Sequence, residues 1–164
     1  MKYSFQVIPF YITKFCICIF IYDSLLSIVK GKMNKNIIKK KIYYHDTDAG
    51  GVVYYANYLK YFEEGRTQYF ETKGIFTEEL LKEGIAFVVA KAEIEYKKPV
   101  RYKESIDIIT GIEEIRNSSV VFYQEVFKGK NLCCRARIVV VCVNKNMKPI
   151  RIPEQIKKLW RALE

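Results

Sequence analysis

Hydrophobic and polar positions change period along this chain, and the changes mark out its elements. Residues 37–45, IIKKKIYYH, set β-branched and aromatic side chains around three lysines and predict a first strand near a sheet edge. A polar, glycine-rich turn follows, DTDAGG, from Asp46 to Gly51. From about Ala56 to Lys73 the period is helical. Tyr58, Leu59, Phe62, Gly65 and Tyr69 recur three and four apart and predict one apolar stripe. Lys60 and Glu64 fall on another face, and Gly74 supplies a stop. Thr77 to Lys82 predicts a short second helix capped by Thr77.

After Gly84 the period drops to two. Over 86–96, Ala86, Val88, Ala90, Ala92, Ile94 and Tyr96 share one face, the one expected to be buried. Phe87, Val89, Lys91, Glu93 and Glu95 share the other. Pro99 ends this strand or marks a bulge. Residues 105–116 and 119–128 predict two further strands, joined by a tight turn at Asn117-Ser118. A second turn spans 128–131. In the strand 132–143, Leu132, Cys134, Ala136, Ile138, Val140 and Cys142 line one wholly apolar face. Pro153 opens a last helix with Ile156, Leu159, Trp160 and Leu163 as its stripe.

The expected order is therefore strand, long helix, four strands in a meander, short helix. An apolar sheet face must be covered, and one long helix is available to cover it. The fold expected is α+β, a long central helix wrapped by a five-stranded or slightly larger antiparallel sheet. Ala86, Ala90, Ala92, Ala136 and Gly65 are the small residues expected to let the helix lie close.

Composition narrows the classes. The chain has 164 residues, half of them hydrophobic, which excludes a disordered protein and suits one domain. Its five cysteines are an odd count, and neighbouring Cys133 and Cys134 would point to opposite faces of a strand. A disulfide framework is not expected, and a reducing cytoplasm is the simplest compartment. His45 is the sole histidine, and no Cys/His spacing suits zinc, so no metal is expected. Residues 1–32 stand apart as a hydrophobic extension with the run FCICIFIY. Pro9, Lys14 and Asp23 interrupt or close the apolar stretch, which weakens a membrane-anchor reading. Met33 begins MNKNIIKKK, so 1–32 is read as translated upstream sequence or a membrane-associated segment, and 33–164 as the domain. The net charge is +10, and 1–32 hold four lysines and Asp23, which leaves +7 on the domain. A basic surface attracts polyanions, including phosphate-bearing cofactors.

The chemistry is concentrated in residues 43–66. Asp46 and Asp48 sit in a loop just before a helix, and Gly50 and Gly51 let the backbone turn tightly and approach a ligand. A helix N-terminus presents unpaired amides and partial positive charge. A carboxylate beside it can attack a carbonyl, or activate water to do so, while the amides hold the oxyanion. A D-x-D-x-G-G loop is also a common turn capped by Asx side chains, so the loop alone does not establish an enzyme.

The run Y-x-x-D-T-D-A-G-G-V-V-Y-x-x-N-Y, followed by Phe62, Glu63 and Arg66, resembles the 4-hydroxybenzoyl-CoA thioesterase family of hot-dog proteins. It is most similar to the YbgC-like acyl-CoA thioesterase branch, as is YKKPVR from Tyr96 to Arg101. The resemblance covers about residues 36–160 and implies hydrolysis of an acyl-CoA to free acid and CoA without a cofactor. It implies Asp48 as nucleophile or general base and the main-chain amide of Tyr55 as the group that polarises the carbonyl. Gly50, Gly51, Val52 and Asn57 are implied to meet the substrate, and Asp46 to shape the loop. The YbgC-like branch commonly carries His at the position of Tyr55, so the acyl preference is open. The resemblance further implies a homodimer or homotetramer with sites between subunits.

Other residues have plainer readings. Glu63 and Arg66 read as a structural ion pair facing a neighbouring subunit. Arg101, Arg135 and Arg137 are candidates for CoA phosphates and equally for solvated strand positions. His45 reads as a surface residue. Three rival functions fit parts of the sequence. A hydroxyacyl dehydratase on this fold needs a suitably placed His that the chain lacks. A non-catalytic acyl-CoA-binding or scaffold protein would bind substrate and release no thiol. Nucleic-acid binding is suggested only by charge, and the lysines are scattered rather than clustered, so no nucleic-acid partner is expected.

Overall fold

The computed structural model of the protein describes residues 35–161. The expectations placed on 1–32 and on Leu163 lie outside those residues. The elements, in order, are β1 (Asn36–Lys41), α1 (Asn57–Glu71), α2 (Thr77–Lys82), β2 (Ile85–Tyr96), β3 (Ser105–Ile115), β4 (Ser119–Lys128), β5 (Asn131–Asn144) and α3 (Glu154–Arg161). One antiparallel sheet runs β1-β3-β4-β5-β2, and α1 packs across it. This is the expected hot-dog architecture, an α+β fold.

β1 is an edge strand, as its lysines suggested, but it stops at Lys41 rather than continuing to His45. Tyr44–Asp46 instead close one 3-10 turn. The Asp46 carboxylate accepts the Tyr43 N–H at 2.8 Å, and the Asp46 N–H donates to the Tyr43 carbonyl at 3.1 Å. A side chain that satisfies the backbone locally competes with the sheet ladder, and here it ends the strand.

The expected meander holds only for β3, β4 and β5. β2 pairs with β5, not with β3. The connection 97–104 is too long for a tight hairpin and carries the chain across the sheet to β3, beside the edge strand β1. The face assignment in β2 also changes. Phe87 pairs with Cys142 and Val89 with Val140, whereas Ala92 pairs with Ile138 and Ile94 with Ala136. A bulge between Val89 and Lys91 inserts one residue, and a one-residue shift flips every later side chain to the other face. The core side of β2 is therefore Phe87 before the bulge and Ile94 after it. Ala86, Ala90 and Ala92 are not buried and do not form the helix's seat.

Gly65 and Ala136 do lie in that seat. A Cβ on Gly65 would stand 2.5 Å from Thr110 Oγ1, 3.1 Å from Gln124 Nε2 and 3.3 Å from Ile108 Cγ2. The polar groups beneath are fully engaged. Gln124 Nε2 donates to the Phe62 carbonyl and to Thr110 Oγ1, both at 2.8 Å, and Arg66 Nη1 donates to Gln124 Oε1 at 2.9 Å. Glu63 completes the expected ion pair with Arg66 at 2.9 Å.

The buried stripe of α1 is Tyr58, Tyr61, Phe62, Gly65, Tyr69 and Phe70. Leu59, in the first turn of α1, is exposed. Glu64 reaches across to Lys40 on β1 at 2.9 Å rather than to Lys60. Thr77 is not a cap. Phe76 occupies the cap position in extended conformation with no capping side chain, and its carbonyl accepts the first helical amides. Gly74 lies at φ +69, past the end of α1, as a stop residue should. On α3, Ile156 and Trp160 are buried and Leu159 is exposed. The Trp160 ring stacks on Phe70 at 5.6 Å and meets Phe87 edge-on at 5.8 Å.

Cys133, Cys134 and Cys142 are buried free thiols. Burial pushes all three up, Cys134 to about 12, so none supplies a thiolate near neutral pH. Among the described residues no helix is long and apolar enough to cross a membrane.

Gly65→Ala opposes two effects. Alanine improves helix propensity by about 1 kcal/mol, whereas overpacking against Thr110 and Gln124 costs about 1–3 kcal/mol. With a contact at 2.5 Å the steric cost wins. The variant should unfold at lower urea concentration than the parent, with an unchanged slope; equal or greater stability would show that the helix can lift from the sheet freely.

Candidate active site

Between β1 and α1 the chain makes a small hairpin of its own. Asp48 to Gly51 form a tight turn closed by the Gly51 N–H donating to the Asp48 carbonyl at 2.9 Å. The Asp48 N–H donates to the Val52 carbonyl at 2.9 Å, and Thr47 bridges Val53. Gly51 takes φ +73, the left-handed conformation that only glycine adopts without strain. A Cβ on Gly50 would come within 3.1 Å of Asp48 Oδ1, which already accepts the Gly50 N–H at 2.8 Å. The two glycines thus let the Asp48 side chain fold back on its turn, with one oxygen held and the other without a hydrogen-bond partner among the described residues.

Asp46 fixes this hairpin to the helix. It is buried, its carboxylate holds the Tyr43 amide, and its carbonyl accepts both the Tyr54 N–H at 3.0 Å and Asn57 Nδ2 at 2.8 Å. Asn57 is buried at the first turn of α1, and its side chain is spent on this anchor rather than on the cleft. His45 is exposed, stacked on Tyr43 at 5.9 Å and 3.8 Å from Asp46.

The connection between β2 and β3 docks on the other side. Val52 bridges Arg101, and the Val53 N–H donates to the Val100 carbonyl at 2.8 Å. Together the two segments enclose an open cleft of about 350 Å³ lined by Asp48, Val52, Val53, Tyr55, Tyr58, Tyr96, Lys97, Lys98 and Pro99. The Tyr96 hydroxyl donates to the Tyr55 carbonyl at 3.1 Å, and the Tyr58 and Tyr96 rings meet edge-on at 5.6 Å. Burial, followed by nearby cysteines, raises the Tyr58 phenol above its ordinary value, so it is protonated throughout the neutral range. No acceptor among the described residues takes the Tyr55 N–H, which stands just before the N-terminus of α1.

Of the residues singled out from sequence, Asp48, Val52 and Tyr55 line one cleft, Gly50 and Gly51 shape its turn, and Asn57 stands behind it. The cleft also takes in Val53 and Tyr58, which belong to the first motif without an expected role in the site, and Tyr96, Lys97, Lys98 and Pro99. The signal for the last four is the YKKPVR run, distant in sequence and joined to the loop by tertiary pairing alone. Of the arginines, Arg135 pairs with Glu125 at 3.3 Å and Arg137 with Glu113 at 3.0 Å.

A long helix laid across an antiparallel sheet, with a carboxylate turn at its N-terminus, defines a class, and comparison with known proteins agrees. The chain belongs to the thioesterase-like superfamily, whose family model matches residues 43–159. It is a thioesterase of the YbgC-like branch. It is similar to the acyl-CoA thioester hydrolase YbgC of Escherichia coli, with 40% identity over 118 residues, covering 71% of this chain and 88% of that protein. Among solved structures, a probable thioesterase from Bartonella henselae is 29% identical with a TM-score of 0.70, covering 73% of this chain and 100% of that one. A DHNA-CoA thioesterase from Staphylococcus aureus is 26% identical with a TM-score of 0.74, covering 78% and 89%.

Asp46→Ala removes a charged acceptor from the Tyr43 amide. It should lower unfolding free energy by about 2 kcal/mol and reduce thioester hydrolysis together, because one contact holds both strand end and loop. Urea titration and a thiol-release assay on the same preparation check this; full activity in a destabilised protein would separate the anchor from the site.

Proposed function

We propose that the protein hydrolyses fatty or aromatic acyl-CoA to free acid and CoA, with Asp48 and the Tyr55 amide as the reacting pair. The observation that carries this reading is their juxtaposition. Asp48, whose carboxylate keeps one oxygen without a hydrogen-bond partner among the described residues, and Tyr55, whose main-chain N–H finds no acceptor among them, line the same cleft. In the reaction the thioester carbonyl oxygen receives the Tyr55 N–H, aided by the positive end of α1. Asp48 either attacks the carbonyl carbon, giving an anhydride that water then cleaves, or takes a proton from a water that attacks directly. In both courses the carbon–sulfur bond breaks, the sulfur leaves as thiolate and gains a proton, and the acid departs. Gly50, Gly51 and Val52 shape the approach to the carbonyl, with Asn57 supporting them from behind.

A second observation supports a homodimer or homotetramer as the working form. β2 is an edge strand of twelve residues with no fully buried side chain, and Val89 is exposed near its middle. Such an edge invites pairing with another copy. The rival reading, a binding protein without turnover, predicts acyl-CoA binding and no release of thiol.

Asp48→Asn keeps the turn's shape and removes the charge. Thiol release from acyl-CoA should fall by about 100-fold or more, with stability within about 0.5 kcal/mol of the parent. Tyr55→Phe should retain most activity, because the amide and not the phenol holds the oxyanion. Undiminished turnover by Asp48→Asn would sink the mechanism. Label found in Asp48 after hydrolysis in ¹⁸O-labelled water under single-turnover conditions establishes the anhydride course, since only that route can leave it there.

A further inference from the structure

The cleft has a cationic rim that the reaction at the carbonyl does not use. Lys97 and Lys98 are the cationic residues that line it. Several other cations on and beside the sheet are neutralised by carboxylates: Arg135 by Glu125, Arg137 by Glu113, Lys128 by Glu104 and Arg116 by Glu114. Lys97 likewise pairs with Glu95. Lys98 differs. Its Nζ is held at 2.6 Å by the neutral amide oxygen of Asn131, and no carboxylate among the described residues pairs with it. Its charge is therefore positioned without being cancelled.

The backbone beneath is also fixed. The N–H groups of Lys97 and Lys98 both donate to the Cys133 carbonyl, at 2.8 and 3.1 Å, and Pro99 follows with its restricted φ. An ammonium group already held in place loses less freedom on binding than a loose surface lysine. A cation so held beside a carbonyl-cleaving site is suited to an anionic part of the substrate distant from the reacting bond. In a CoA thioester that part is the nucleotide, with its pyrophosphate and ribose phosphate.

We infer that Lys98, seconded by Lys97, binds a phosphate of the CoA nucleotide and selects CoA thioesters over thioesters lacking that nucleotide. This rests on the hydrolase reading above and adds a specificity residue to it. The three arginines that are candidates from sequence, Arg101, Arg135 and Arg137, lie outside the cleft lining, and Arg135 and Arg137 are bound to carboxylates.

The test compares kcat/KM for an acyl-CoA with that for the matching acyl-pantetheine, in the parent and in Lys98→Gln, Lys98→Glu and Lys98→Arg. The parent's preference for the CoA thioester should fall about tenfold in Lys98→Gln, further in Lys98→Glu, and by no more than about threefold in Lys98→Arg. Added salt should erode the preference in the parent and leave Lys98→Gln nearly unmoved. An unchanged preference in both Lys98→Gln and Lys98→Glu overturns the assignment. If the parent cleaves neither thioester, the hydrolase reading fails by itself, and calorimetry with CoA and pantetheine then decides the subsite. Weaker CoA binding in Lys98→Glu upholds it, and equal binding overturns it.

Discussion

The site depends on one buried residue, Asp46, whose carboxylate and main-chain carbonyl both tie chain to chain. Asp46 ends β1 by taking the Tyr43 amide, and its carbonyl gathers Tyr54 and the side chain of Asn57. Three pieces of chain are thereby fixed to one residue: the end of a strand, the Asp48 turn and the first turn of α1. A carboxylate acceptor for a backbone N–H is a charge-assisted hydrogen bond, about twice as strong as a neutral one. Its cost of burial is offset only while the amide partner stays in place, so the arrangement is both stable and exact in position.

The second constraint is the short distance between α1 and the sheet. Gly65 leaves no room for even a methyl group over Thr110 and Gln124, and Gln124 ties the Phe62 carbonyl to the sheet. Because α1 is held this close, its N-terminus has a fixed height above the sheet. The Tyr55 amide inherits that position, and Tyr96, reaching over from β2, pins the Tyr55 carbonyl. Packing in the middle of the helix and geometry at its end are thus one problem.

Charge is distributed with similar economy. The chain is strongly basic, yet many of the cations on the sheet are paired locally, and the cleft rim keeps an uncompensated one at Lys98. A net charge spread over the surface draws an anionic substrate toward the protein in general. A fixed charge at the cleft mouth discriminates among substrates, because it acts only on a ligand already seated there.

The sequence by itself determined the elements whose signals are local. The 3.6 period of α1, the alternation of β5, the Asn117-Ser118 hairpin and the D-x-D-x-G-G turn each depend on neighbours within a few residues, and each is found where the pattern put it. The motif around Asp48 also carried the family. Tertiary structure decided what local pattern cannot encode. It placed β2 beside β5 rather than β3, since pairing partners far apart in sequence leave no periodic trace. It set the bulge that reverses the faces of β2, where an inserted residue is invisible to an alternation that looks regular on either side. It brought Tyr96, Lys97 and Lys98 to the cleft through two backbone bridges, Val52 to Arg101 and Val53 to Val100. Hydrogen bonds between main-chain groups are blind to side-chain identity, so the residues they assemble into a site are named only by the folded chain.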